Sequence, residues 1–154
     1  MSDKIQVRKA VVDDWEVIAR FNRAMAMETE KKELPLPIIT GGVQAVFRNP
    51  GYGFYVVAEI ENDIAGCLMV TPEWSDWRNG VFWWIQSVYV KPEFRNKGVY
   101  RSLYEFVKTT AKENSEVCGF RLYVEKENHR AQKTYRALGM EETDYRLYEE
   151  SVRK

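Results

Sequence analysis

With 154 residues, 45% hydrophobic and 30% charged, the chain has the size and balance of one globular domain burying a single core. Lys plus Arg and Asp plus Glu each total 23, so the formal net charge is zero. This argues against a nucleic-acid partner, since duplex binders carry a basic excess or stripe. Residues 1–10 lack the apolar stretch of a signal peptide, and no apolar run is long enough to cross a bilayer. Two cysteines and one histidine are too few for a zinc site. A single domain over residues 1–154, cytoplasmic and without metal, nucleic-acid or membrane partner, is therefore expected.

In chain order, Ile5 to Arg8 reads as a first strand, and Asp13 with Glu16 resembles a capping box at a helix start. Val17, Ile18, Phe21, Ala24 and Met25 share one face of that helix. Pro35 and Pro37 should break any helix across the polar stretch that follows, and Val43 to Phe47 is a weaker helical piece. Strands are predicted over Phe54–Ile60, Ile64–Thr71 and Val81–Val90, with Asn79-Gly80 as a tight hairpin turn. Pro92 stops the last of these, because it has no amide hydrogen for a ladder. Leu103, Phe106, Val107, Thr110 and Ala111 recur at helical spacing, and Phe120–Val124 reads as a strand. Asn128 is a plausible cap for a last helix, Gly139 its C-terminal residue, and Thr143–Glu149 a final strand. Cys67 and Cys118, both in strand segments, are expected to be small buried hydrophobes. The order β-α-α-β-β-β-α-β-α-β describes a mixed α/β sheet.

The most informative stretch runs from Val88 to Arg101, from strand through loop into helix. A loop entering a helix presents amide hydrogens in one direction, and the helix dipole adds partial positive charge, which suits a phosphate. Gly98 lets that backbone approach a ligand without a Cβ, and Arg95, Lys97 and Arg101 bring positive charge. Basic surface residues at a helix start are common, so these features alone carry limited weight. No Gly-Lys-Ser/Thr follows the turn, and the three glycines of a dinucleotide-binding turn are absent.

Arg95-x-x-Gly98-x-Tyr100 resembles the acetyl-CoA signature of the GNAT N-acetyltransferases, Arg/Gln-x-x-Gly-x-Gly/Ala after a strand, with tyrosine replacing the usual small last residue. Asn128-x-x-Ala131-x-x-x-Tyr135-x-x-x-Gly139 is similar to that family's later Asn-x-x-Ala-x-x-x-Tyr-x-x-x-Gly element. The resemblance implies a GNAT-like fold with strands 4 and 5 splayed, and a single N-acetyltransferase domain using acetyl-CoA as co-substrate. It implies that Val88, Tyr89 and Val90 face the pantetheine arm, as an added strand would pair. Arg95, Asn96, Lys97, Gly98, Val99, Tyr100 and Arg101 would hold the pyrophosphate, with Asn128 and Tyr135 close to the thioester. It further implies that the Val88 amide stabilises the oxyanion and that Tyr135 protonates the departing thiolate. By periodicity alone Tyr135 would be a packing residue, since it shares a face with Ala131 and Leu138.

The acceptor is expected to be a small-molecule or peptide amine. Some GNAT relatives place a Glu where this chain has Gln86, which cannot take up a proton at neutral pH. Glu28, Glu30, Glu73 and Asp76 are the candidate bases, each also readable as an ordinary solvated carboxylate. Trp74, Trp77, Trp83 and Trp84 flank the hairpin. With Glu73 and Asp76 they suit a cationic amine, or they pack on the sheet or form a homodimer contact. Glu28, Trp74, Trp84 and Gln86 are the acceptor-binding candidates; His129, at a helix start with nothing to complete a triad, is assigned no role. Two alternatives stand beside an enzyme: a non-catalytic acyl-CoA-binding or regulatory module of the same fold, and an α/β protein binding a nucleotide.

Overall fold

Alternating apolar residues with few helix formers make Ile5–Lys9 (β1), Phe54–Ile60 (β2), Asp63–Ser75 (β3), Gly80–Val90 (β4) and Val117–Arg121 (β5) the strands of one sheet. The helices are Trp15–Glu30 (α1), Leu36–Arg48 (α2), Val99–Lys112 (α3) and His129–Ala137 (α4). The computed structural model describes residues 4–153. The sheet order is β1-β2-β3-β4-β5, antiparallel through β4, with β5 parallel to β4. Contacts divide the chain into two compact units, one ending at Tyr123 and one starting at Val124, which contains α4.

Side chains alternate across a strand, so the sheet has two distinct faces. On one, Tyr55, Val57, Cys67 and Tyr89 pack with Ile18 and Phe21 of α1 and Val43 of α2. On the other lies α3, whose Leu103 and Val107 are fully buried and whose Tyr104 meets Phe120 of β5 edge-on at 5.9 Å. Phe54 and Trp83 share that face in an edge contact at 5.2 Å. The start of α1 is tied to the sheet by charge. Arg8 on β1 donates to Asp14 and to Glu59 on β2, both at 2.8 Å, while the Val11 amide donates to Asp14. Burial raises the Asp14 carboxyl, but the Arg8 bond, the Val11 amide and the Arg8 charge together outweigh it and hold Asp14 below its ordinary range.

Several local expectations shift. Pro35 and Pro37 do not interrupt α2 but begin it, at the cap and in the first turn, where no amide donor is needed. The Val11 amide is satisfied by Asp14 rather than through a cap at Asp13. Ser75 pairs with Gly80, so the hairpin turns over Asp76–Asn79, with Asn79 in the left-handed region at φ 48°. Strand β5 falls at Val117–Arg121, earlier than the Phe120–Val124 expectation, because its parallel register against Val81–Trp84 decides its limits. The expected last strand, Thr143–Glu149, is not formed: residues 141–153 have no regular structure, and Tyr145 and Leu147 are 77% and 69% exposed. Alternating residues become a strand only when a second backbone pairs with them. Cys67 is buried as expected, but Cys118 is exposed.

Candidate cofactor cleft and acceptor face

Strand β4 is paired on both sides only as far as Trp84, which stands opposite Thr71 of β3 and Arg121 of β5. Beyond it, Ile85 to Val90 pair with β3 alone among the described strands. The β3–β4 register slips just there: Met69 faces Gln86, but Cys67 faces Tyr89, so β4 carries one extra residue at Ser87–Val88. Ser87 takes φ 51°, a left-handed conformation that a non-glycine residue holds only when its surroundings impose it. A parted strand edge with a bulge is where an extended ligand arm can add main-chain hydrogen bonds.

The strand ends in a tight turn. Pro92–Phe94 forms a 3-10 turn, and Asn96 and Gly98 take positive φ values of 65° and 83° before α3 begins. The helix ladder opens with the Ser102 amide donating to the Gly98 carbonyl at 3.0 Å, so the first-turn amides point out along the axis. Gly66 on β3 seats this turn, since a Cβ there would come within 2.7 Å of the Tyr89 carbonyl and 3.1 Å of Val99. The absence of that one side chain lets β4 and the start of α3 sit close to β3. Gly66 was not singled out from sequence; only its place opposite Val90 reveals the role.

The basic residues of the turn are largely committed. Arg95 donates from Nε to the Val90 carbonyl at 2.8 Å and from Nη2 to Glu28 at 3.1 Å, and its guanidinium lies 5.5 Å from the Tyr89 ring centroid. Arg101 pairs with Glu105 at 3.2 Å, one turn along α3. The Tyr100 ring is stacked nearly parallel on Tyr104, with centroids 6.1 Å apart, so the residue that departs from the family pattern lies along the helix. With Arg95 and Arg101 engaged, the first-turn amides of α3 are the main candidate contacts for a phosphate.

On the face that carries α1 and α2, Thr71, Glu73, Phe82, Trp84, Gln86 and Arg121 stand together. Gln86 Nε2 donates to Thr71 Oγ1 at 2.6 Å, and Arg121 donates to Glu73 at 2.6 Å. Trp84 and Tyr123 approach at 6.0 Å. Trp74, three residues beyond Thr71, belongs to the opposite face and is 60% exposed, while Trp77 in the hairpin turn is 88% exposed. The tryptophans thus divide, and Trp74 and Trp84 do not line one surface. Glu28, at the end of α1, is paired with Arg95 at 3.1 Å, and its charge helps raise the Tyr89 phenol.

A family model described as the GNAT acetyltransferase family matches residues 11–140. The chain belongs to the GNAT acetyltransferase family. A possible acetyltransferase from Clostridium difficile 630 is 45% identical, with a TM-score of 0.89 over 97% of this chain and 99% of that one. A predicted acetyltransferase from Clostridium acetobutylicum, solved with acetyl-CoA, is 19% identical, with a TM-score of 0.78 over 96% of each chain. An aminoglycoside N-acetyltransferase in complex with CoA is 16% identical, with a TM-score of 0.75 over 99% of this chain and 97% of that one. No curated protein matches the sequence.

The second GNAT motif lies in the unit that begins at Val124. Asn128 caps α4 as expected, its Oδ1 accepting the Ala131 amide at 3.1 Å. Gly139 follows the helix at φ 101°, the left-handed position expected for it. Tyr135 is half-buried, and burial raises its phenol above the ordinary range, so it keeps its proton at neutral pH. His129 is exposed beside Glu127 at 3.4 Å. No described helix is long and apolar enough to cross a membrane, and no group of metal-ligating side chains occurs among the described residues.

Proposed function

We propose that this GNAT protein transfers acetyl from acetyl-CoA to a primary amine by direct attack within a ternary complex. The observation that carries the reading is the parted β4 edge, bulged at Ser87 and running directly into the Arg95–Gly98 turn at the start of α3. Pantetheine would lie along Val88–Val90 and the pyrophosphate on the turn amides of residues 96–101. The similarity to a structure solved with acetyl-CoA supports the choice of co-substrate.

In the reaction the amine lone pair attacks the thioester carbonyl, a C–N bond forms, and collapse breaks the C–S bond. The Val88 amide, at the bulge, would stabilise the oxyanion. Tyr135, which holds its phenolic proton, is the proposed acid for the leaving thiolate, on the strength of its motif. The amine also loses a proton. An alkyl ammonium with a pKa of about 10.4 is only about one part in two thousand neutral at pH 7. Glu28 and Glu73 each face a guanidinium, so neither is an isolated carboxylate waiting for that proton. Gln86 is held by Thr71 and can orient the amine but not deprotonate it, which leaves Glu30 or Asp76, acting directly or through water, as the candidate acceptor of that proton.

Gln86 favours the second reading, a non-catalytic acyl-CoA-binding module. Thiol release from acetyl-CoA across an amine panel, run with a thermal shift against acetyl-CoA, ATP and NAD, separates the cases. Acetyl-CoA should raise Tm most, and at least one amine should release thiol. A Tm shift without thiol release supports the module, and a larger shift with ATP or NAD removes both readings.

A further inference from the structure

On the sheet face beside the cleft, Arg121 is held in one orientation by three neighbours. Phe82, 8% exposed, lies flat against β5 because Gly119 has no side chain: a Cβ there would come within 2.8 Å of the ring. The Arg121 guanidinium stacks on that ring at 3.6 Å from its centroid, and Glu73 on β3 holds Nη1 at 2.6 Å. Ring and carboxylate together fix the guanidinium plane, and Nε and Nη2 bond no group among the described residues. Arg78 in the hairpin turn lies 4.9 Å from the same centroid and forms no ion pair among the described residues. Glu73 pairs with Arg121, so two guanidiniums meet on one ring with the Trp84–Tyr123 aromatic pair beside them. A planar, pre-oriented fork of N–H donors is the geometry that carboxylates match.

We infer that the acceptor is an amine that also carries a carboxylate, bound by Arg121 with Arg78 as a supporting charge. This rests on the acetyl-transfer reading and names the substrate class of that site. The register sets the spacing. Arg121 is level with Trp84, the last residue of β4 paired on both sides, whereas Gln86 lies two residues nearer the bulge. Two strand residues rise about 7 Å, so carboxylate and amine are separated by several bonds, as in an ω-amino acid or a short peptide. A polyamine would meet the Arg121 and Arg78 guanidiniums here.

The test compares acetyl-CoA-dependent thiol release for γ-aminobutyrate and ε-aminocaproate with the alkylamines of matching chain length and with putrescine. The ω-amino acids should exceed their alkylamine partners by roughly tenfold or more in kcat/KM. Arg121→Gln should bring that ratio close to one, and Arg121→Lys should restore part of it; both variants must keep the acetyl-CoA thermal shift. Faster turnover of alkylamines or putrescine, or a ratio that survives in Arg121→Gln, overturns the carboxylate assignment and leaves acetyl transfer standing. Absence of thiol release with every amine removes the acetyl-transfer reading and this assignment with it.

Discussion

Arg95 and Glu28, 67 positions apart in sequence, meet at 3.1 Å, so the turn that leads into α3 is tethered to the end of α1. Because Arg95 Nε also holds the Val90 carbonyl, a single side chain closes the turn and ties it to the end of α1. Burial raises the Tyr89 phenol, and the Glu28 charge adds to that while Arg95 opposes it, so the three side chains form one connected group.

Lysine at position 95 keeps the charge but loses the guanidinium fork that reaches Val90 and Glu28 together. Arg95→Lys should raise KM for acetyl-CoA about five-fold, equivalent to ~1 kcal/mol, with a smaller change in kcat. Glu28→Gln should have a weaker effect of the same kind, since the Val90 bond survives. Steady-state kinetics with varied acetyl-CoA checks both, and a change confined to kcat would contradict a tethering role.

Tyr135→Phe removes only the phenolic oxygen from a half-buried ring. Turnover should fall by about 100-fold if that proton serves the leaving thiolate. Acetyl-CoA affinity, read by calorimetry, should stay within about twofold because no binding group is lost. Unchanged turnover would return Tyr135 to the packing role that its helical spacing alone suggests.

The two thiols should behave oppositely. Burial pushes Cys67 up to about 12, whereas Cys118 is exposed. A thiol reagent at pH 8 should label Cys118 in the folded protein and Cys67 only after unfolding, because the thiolate is the reactive form. Peptide mapping of the labelled sites distinguishes them.

Stability should depend on acid through Asp14. Its folded carboxyl lies below the ordinary value of 3.8, so the contribution is present above that value and disappears as pH falls through the lower folded one. Asp14→Asn should cost about 1–3 kcal/mol at pH 7, since Arg8 and the Val11 amide lose a charged acceptor. The gap between variant and parent should narrow below pH 4. Chemical denaturation at several pH values measures it.

Much of the architecture was legible because it depends on neighbours within a few residues. Strand β2 falls where its apolar run predicted, Asn128 caps α4 through an amide three residues on, and Gly98 takes the left-handed turn before α3. The two motifs were readable for the same reason, since each is one turn and the helix it enters. Pro35 and Pro37 read locally as breakers, yet a residue that breaks a helix interior is favourable at its cap and first turn.

Other features follow from backbone pairing between distant segments, for which no local pattern exists. The extra residue at Ser87 appears only when Gln86 and Tyr89 are registered against Met69 and Cys67. Arg121 was an unremarked strand residue until parallel pairing set it beside Glu73, 48 positions away, over the Phe82 ring. The antiparallel β3–β4 register sends Trp74 and Trp84 to opposite faces, although they are close in sequence. Short-range preferences therefore select the elements and the turn that leads into α3. Strand register, a long-range property in which one residue's slip reverses every side chain, chooses which groups meet beside the cleft.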